Sequence, residues 1–169
     1  MGERFIVMAG TAGTARIKEP ALQDALKGFP LFFQRKENAL AAEEEKLLNT
    51  DPESLPGVLF TERLKGISVF AGLWELHENA GTGLTAELGA IPLDQLTVEL
   101  FEKADLSPYD EPCENAFLAV TDRPFEALSQ LKAKDIRCAV LGTFTEDNGC
   151  VVTSEAGKRY LTPERKKQQ

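Results

Sequence analysis

The chain of 169 residues has one histidine, one tryptophan and three cysteines. With His77 alone and no Cys-x-x-Cys pair, no zinc-finger ligand set can be assembled. Cys113, Cys138 and Cys150 are odd in number and widely spaced, and they read as free thiols, two of them in strands. Positive charge is scarce: 19 Lys and Arg stand against 27 Asp and Glu, a formal net charge of −8. An acidic surface repels phosphate backbones, which argues against nucleic acid as a partner. The densest basic run, Arg165-Lys166-Lys167, reads as a solvated tail, and residues 164–169 are expected to be disordered. No apolar run nears the roughly 20 residues that span a membrane. Met1-Gly2-Glu3-Arg4 passes straight into Phe5-Ile6-Val7-Met8, without a signal-peptide pattern. A soluble cytoplasmic protein is expected.

What is present suits a single domain over residues 1–169. At 43% hydrophobic the chain can build a core, and at this length roughly 70% of the unfolded surface can be buried. Phe5 to Ala9 reads as a buried strand. Gly10-Thr11-Ala12-Gly13-Thr14-Ala15 follows and opens a helix. A glycine turn at a helix start can hold an anion on backbone N–H groups. Here the GxGxxG and Walker spacings are missing, so tight strand-to-helix packing is the plainer reading. Pro20 and Gly28-Phe29-Pro30 punctuate the next stretch. Glu37 to Leu48 is helical, with Glu43-Glu44-Glu45 expected on a solvated face. Val58-Leu59-Phe60 is a short strand.

The segment from Gly66 to Pro92 holds both Trp74 and His77. Ile67, Phe70, Ala71, Trp74 and His77 fall at helical spacing. Gly81 and Gly83 end that helix, and Leu84 to Leu88 alternates as a half-buried strand does. Asp94 to Ala104 is a helix with Leu96, Leu100 and Phe101 inward. Ala116 to Val120 is a continuous apolar run, read as a central strand. Asp122 is expected to cap the next helix, with Phe125, Leu128 and Leu131 inside. Cys138 to Leu141 is another buried strand. Asn148-Gly149 signals a hairpin before Cys150-Val151-Val152, and a second turn at Ala156-Gly157-Lys158 leads to Tyr160. From residue 83 the order is strand, helix, strand, helix, strand, strand, which argues for a mixed sheet with partial ferredoxin-like topology.

Five stretches, in order, carry a resemblance. They are Gly10-x-x-Gly13-Thr14-Ala15, Val69-Phe70-Ala71-Gly72-Leu73-Trp74-Glu75-Leu76, Gly81-Thr82-Gly83-Leu84 with Ala90-Ile91-Pro92, Val140 to Glu146, and Arg159-Tyr160-Leu161-Thr162-Pro163. Together the chain resembles the C-terminal domain of the aminoimidazole ribonucleotide synthetase (PurM-like) superfamily, most of all its synthetase-related and hydrogenase-maturation branch. The resemblance implies an α/β (α+β) three-layer fold, a mixed sheet flanked by helices. It also implies an absent N-terminal half, where that family binds most of its ATP and dimerises.

The departures bear on function. Before the tryptophan helix the family carries Asp-Val-Thr-x-Gly-Gly, facing its active-site cleft. This chain has Arg63-Leu64-Lys65-Gly66-Ile67-Ser68. Glycines let a backbone come close to a phosphate, and β-branched Ile67 obstructs that. An Asp suits a metal, whereas Arg63 repels one. The family's Ser-Ser-Gly reads Cys113-Glu114-Asn115 here. The reactive C-terminal Cys of the maturation factor has no counterpart in Lys167-Gln168-Gln169.

No catalytic residue and no metal ligand is assigned. Arg63, Lys65, Gly66 and Ser68 are candidates for an anion or phosphate site at a helix start, against a plain capped helix with exposed basic side chains. His77 and Trp74 read as structural, and Glu62 with Glu75 lack any fixed geometry for acid–base work. The expected function is a non-catalytic binding or regulatory module with a degenerate loop, engaging a protein partner or self-associating as a homodimer. It would need no cofactor alone. The alternative is half of a split ATP-dependent enzyme, binding ATP and Mg only with a separate nucleotide-binding chain.

Overall fold

Alternation in the first strand sends Ile6 and Met8 to one face of a sheet and Val7 and Ala9 to the other, all four fully buried. A strand buried on both faces needs helices above and below, and the computed structural model has that arrangement. It describes residues 3–163. The tail 164–169, with its basic run, lies outside the described residues. The elements are β1 (Phe5–Ala9), α1 (Pro20–Leu26), α2 (Leu31–Leu48), β2 (Val58–Arg63), α3 (Val69–Ala80) and β3 (Gly83–Glu87). They continue with α4 (Gln95–Lys103), β4 (Phe117–Thr121), α5 (Pro124–Ala133), β5 (Cys138–Thr145), β6 (Cys150–Ser154) and β7 (Gly157–Tyr160).

The seven strands form one sheet in the order β2-β4-β1-β5-β3-β6-β7. Only the β3–β6 pairing is parallel; the others are antiparallel. β4 and β5 are joined through α5 and flank β1, a split βαβ unit, so the sheet is mixed with partial ferredoxin-like topology as expected. One face packs Ile6, Met8, Leu118, Val120 and Val152 against Leu73 and Leu76 of α3. The opposite face packs Val7, Ala9, Phe117 and Ala119 against Leu47 of α2 and Ala127 and Leu131 of α5. A third cluster joins α1, α2 and α4 through Leu22, Leu40, Leu96 and Phe101.

Several local expectations change. α2 starts at Leu31, six residues before the predicted start, because Pro30 supplies an extended entry and Leu31 to Lys36 continue the helix. The buried stripe of α3 is Val69, Phe70, Gly72, Leu73 and Leu76. It is displaced from the predicted one, leaving Trp74 and His77 only half-buried. Asp122 does not cap α5. The cap position is Arg123, whose N–H donates to the Thr121 hydroxyl. Phe125 is 76% exposed, and the inner face is Pro124, Ala127 and Leu131. Asn148-Gly149 does not make a hairpin either. β5 and β6 are not neighbours, because β3 lies between them. The Gly83 and Leu84 N–H groups donate to the Asp147 and Gly149 carbonyls, at 2.6 and 3.0 Å, so the connection wraps the start of β3. The hairpin expected at Ala156-Gly157 is present, joining β6 to β7.

Candidate functional site

The segment Pro112–Ala116 brings together three stretches that stand far apart in sequence. On one side it pairs with the loop before α3. Leu64 N–H donates to Ala116 O, Gly66 N–H to Cys113 O, and Cys113 N–H to Ile67 O, at 2.9, 3.0 and 2.9 Å. On the other side it meets the glycine turn after β1. Ala15 N–H donates to Pro112 O at 3.1 Å, and Glu114 N–H donates to the Thr14 hydroxyl at 3.2 Å. α2 closes the arrangement: Asn115 N–H donates to Glu44 Oε2 at 2.9 Å, and Asn115 Nδ2 donates to the Glu44 carbonyl at 3.2 Å. The segment is thus the hub between the two loops that the sequence singles out.

Each candidate anion-binding residue has a place in this hub. Arg63 turns to the C-terminal end of α2, donating from Nη2 to Thr50 O at 2.7 Å and from Nη1 to Leu47 O at 3.3 Å. A cation there satisfies orphan carbonyls and complements the helix dipole. Its guanidinium also lies 5.5 Å from the Phe117 ring centroid. Lys65 is exposed and bridges to Cys113 in strand fashion. Gly66 holds φ +79°, a left-handed turn that glycine adopts without steric cost. Ser68 is buried and caps α3, its hydroxyl accepting from Ala71 N–H at 3.0 Å. Ile67 N–H donates to Leu64 O. The loop is tied down by its own backbone, and Arg63 faces a different element from Lys65 and Ser68.

The glycine turn after β1 leads into one turn of 3-10 helix, Thr14–Lys18, with Gly13 at φ +75°. Its surroundings are acidic. A cavity of about 70 Å³ beside it is lined by Thr14, Ile17, Leu40 and Ala41 together with the charged residues Lys18, Glu37, Glu44 and Glu114. Three carboxylates against one ammonium disfavour an anion, which counts against the anion reading of this turn.

Glu43 and Glu44 overturn the expected solvated face: they are 6% and 5% exposed. Glu44 Oε1 is buried with no hydrogen-bond partner. Burial pushes this carboxyl up to about 7. The Thr14 hydroxyl and the Asn115 N–H pull it back, and the Glu114 and Glu43 charges add to the rise. Glu43 instead holds Arg137, accepting from its backbone N–H and from Nε and Nη2, while Arg137 Nη1 donates to Asp94 Oδ1 at 2.7 Å. Asp94 also caps α4, accepting from Leu96 N–H. This ion triad joins α2, α4 and the start of β5. A signal for the burial of the two glutamates, though not for their partners, existed in the sequence: Leu40, Glu43, Glu44 and Leu47 share one helical stripe, and the apolar ends of that stripe are buried.

The remaining candidates are less organised. Glu62 on β2 is pushed up by burial and by the charge of Glu75 on α3, so the fold brings the two carboxylates into electrostatic range. His77 Nδ1–H donates to Thr82 O at 2.8 Å, closing the end of α3, and its ring lies 5.0 Å from that of Trp74. Burial pushes the thiols of Cys113 and Cys150 up to about 12, which makes them poor nucleophiles. Among the described residues no group of three or more His, Cys, Asp or Glu is arranged to hold a metal ion.

Comparison with known proteins places the fold. No family model and no curated protein matches the chain. Solved structures do. E. coli HypE superposes with a TM-score of 0.72 at 18% identity, over 99% of this chain and 52% of that one. A thiamine-monophosphate kinase from Stenotrophomonas maltophilia K279a gives 0.65 at 13%, over 93% and 51%. A chain of a HypE–HypF complex gives 0.66 at 16%, over 96% and 53%. The PurM-like fold implied by the five stretches is the fold found, and the chain spans about half the length of these proteins.

Proposed function

We propose that this chain is a PurM-like domain that has exchanged a phosphate-facing loop for a structural one, and that it works in the cytoplasm as a non-catalytic binding or regulatory module. The observation that carries this reading is the fate of the loop before α3. Leu64, Gly66 and Ile67 N–H groups all donate within the protein, and Arg63 serves the end of α2. A phosphate needs such donors unspent and convergent. Leu31 and Phe32, both largely exposed at the start of α2, support a protein partner or a homodimer. So does the presence of this fold in a HypE–HypF complex. No helix among the described residues is long and apolar enough to cross a membrane.

The test is an NMR titration with ATP plus Mg²⁺ and, separately, inorganic phosphate. The expected outcome is no saturable shift of the amides of residues 63–71. A saturable shift there on phosphate addition would instead establish the anion site at Lys65, Gly66 and Ser68 and refute the structural-loop reading. Sedimentation velocity addresses self-association, and a concentration-independent monomer would remove the homodimer.

One observation favours a second reading, half of an ATP-dependent enzyme. The chain matches about half of HypE and of the kinase, so such proteins contain a further half. That reading predicts ATP turnover when a separate nucleotide-binding half is supplied, and inertness without it.

A further inference from the structure

Five asparagines occur in the chain, and Asn148 alone is followed by glycine. The others are held. Asn38 and Asn79 lie within α2 and α3. Asn49 Nδ2 donates to Glu45 O at 3.0 Å, and Asn115 is buried with its Nδ2 on Glu44 O. Asn148 is exposed in a bend between β5 and β6. Among the described residues neither its side-chain amide nor the Gly149 N–H makes a hydrogen bond. Glycine carries no Cβ to obstruct the approach of its own nitrogen to a neighbouring group. The carbonyls on either side of Asn148 are in use. Asp147 O accepts from Gly83 N–H at 2.6 Å, and Gly149 O accepts from Leu84 N–H at 3.0 Å. The fit is tight, because a side chain at Gly83 would run into the Asp147 carbonyl.

We propose that Asn148 is a site of spontaneous deamidation, and that its isoaspartate product loosens the start of β3. The Gly149 nitrogen attacks Asn148 Cγ. A C–N bond forms, the side-chain nitrogen leaves as ammonia with the Gly149 amide proton, and a cyclic succinimide results. Water then opens the ring. Addition at Cγ breaks the new bond and gives aspartate; addition at the backbone carbonyl breaks the original peptide bond and gives isoaspartate. Either product places a carboxylate beside Glu146 and Asp147. Isoaspartate also adds one carbon to the main chain, about 1.5 Å, between the two carbonyls that hold β3. Because β3 lies between β5 and β6, the disturbance falls inside the sheet. The reaction needs only water and is independent of the module proposed above.

The test incubates the protein in warm, mildly alkaline buffer and digests it for mass spectrometry. The peptide holding Asn148 should gain about 1 Da, with isoaspartate identified by backbone fragmentation, while the other four asparagines stay unchanged. Gly149→Ala should suppress the gain; its methyl group meets the Tyr160 ring and Val151 at 3.2 to 3.4 Å, so the fold accepts it. In the isolated isoaspartate form the Gly83 and Leu84 amides should exchange with solvent about tenfold faster. Asn148→Asp supplies the charge without the added carbon and should leave that exchange as it is. A gain no faster at Asn148 than at the other asparagines, or one that Gly149→Ala does not slow, overturns the modification site. Unchanged exchange in the isoaspartate form, or equal acceleration in Asn148→Asp, overturns the loosening of β3.

Discussion

The substitution Glu44→Gln isolates the cost of a buried carboxyl. In the folded protein this group ionises at about 7 against an ordinary 4.5. A carboxyl raised on folding binds its proton more tightly in the native state, so native stability falls as pH rises from the unfolded value through the folded one, and is flat above. The cost works out to about 1 kcal/mol at pH 5 and about 3 kcal/mol at pH 8, a difference of about 2 kcal/mol. The side-chain amide of the variant does not ionise, keeps an acceptor for Asn115 N–H, and brings a cost of its own that does not vary with pH. Urea unfolding of both proteins at pH 5 and pH 8 therefore reads the difference of differences. The variant should gain about 2 kcal/mol on the parent between the two pH values, whatever its absolute stability, equivalent to about 4–8 °C in Tm for a domain of this size. Parallel pH profiles, with the gap constant to within about 0.5 kcal/mol, would refute the reasoning and place Glu44 in contact with water.

Three further outcomes are expected. Arg137→Met leaves Glu43 and Asp94 as unpaired, largely buried charges; with Arg137's side chain 44% exposed, the loss should be about 3 kcal/mol by chemical denaturation, part of it restored by adding Glu43→Gln. Gly142→Ala puts a methyl group into the Thr85 carbonyl of the neighbouring strand; the backbone cannot yield there, and a loss of about 3 kcal/mol or an insoluble product is expected, seen as a lowered Tm. Cys113 and Cys150, pushed up to about 12 by burial, should resist iodoacetamide at neutral pH in the native protein and react once it is unfolded, as mass spectrometry of the intact chain would read.

Much of the architecture is legible from local pattern. Phe5 to Ala9 and Ala116 to Val120 are continuous apolar runs, and such runs have few stable fates other than strands covered on both faces. Leu96, Leu100 and Phe101 keep helical spacing behind the Asp94 cap, and Gly81 stops α3 at φ +70°, where a side chain is disfavoured. The five stretches that carry the resemblance were sufficient to indicate the fold. The site was less legible. Arg63 and Ser68 have the residue types of an anion site, yet their partners are the carbonyls of Leu47 and Thr50 and the N–H of Ala71.

The sequence by itself determined the strands and the helix stops, because each depends on near neighbours and backbone preference. Only the tertiary structure decided what the charged residues do. Glu43 and Glu44 look like surface until α2 is laid against Arg137 and Asn115, 94 and 71 residues away. Asn148-Gly149 looks like a hairpin until β3 enters between β5 and β6. A charge is settled by the partner that long-range folding brings to it, and periodicity along the chain carries no record of that partner.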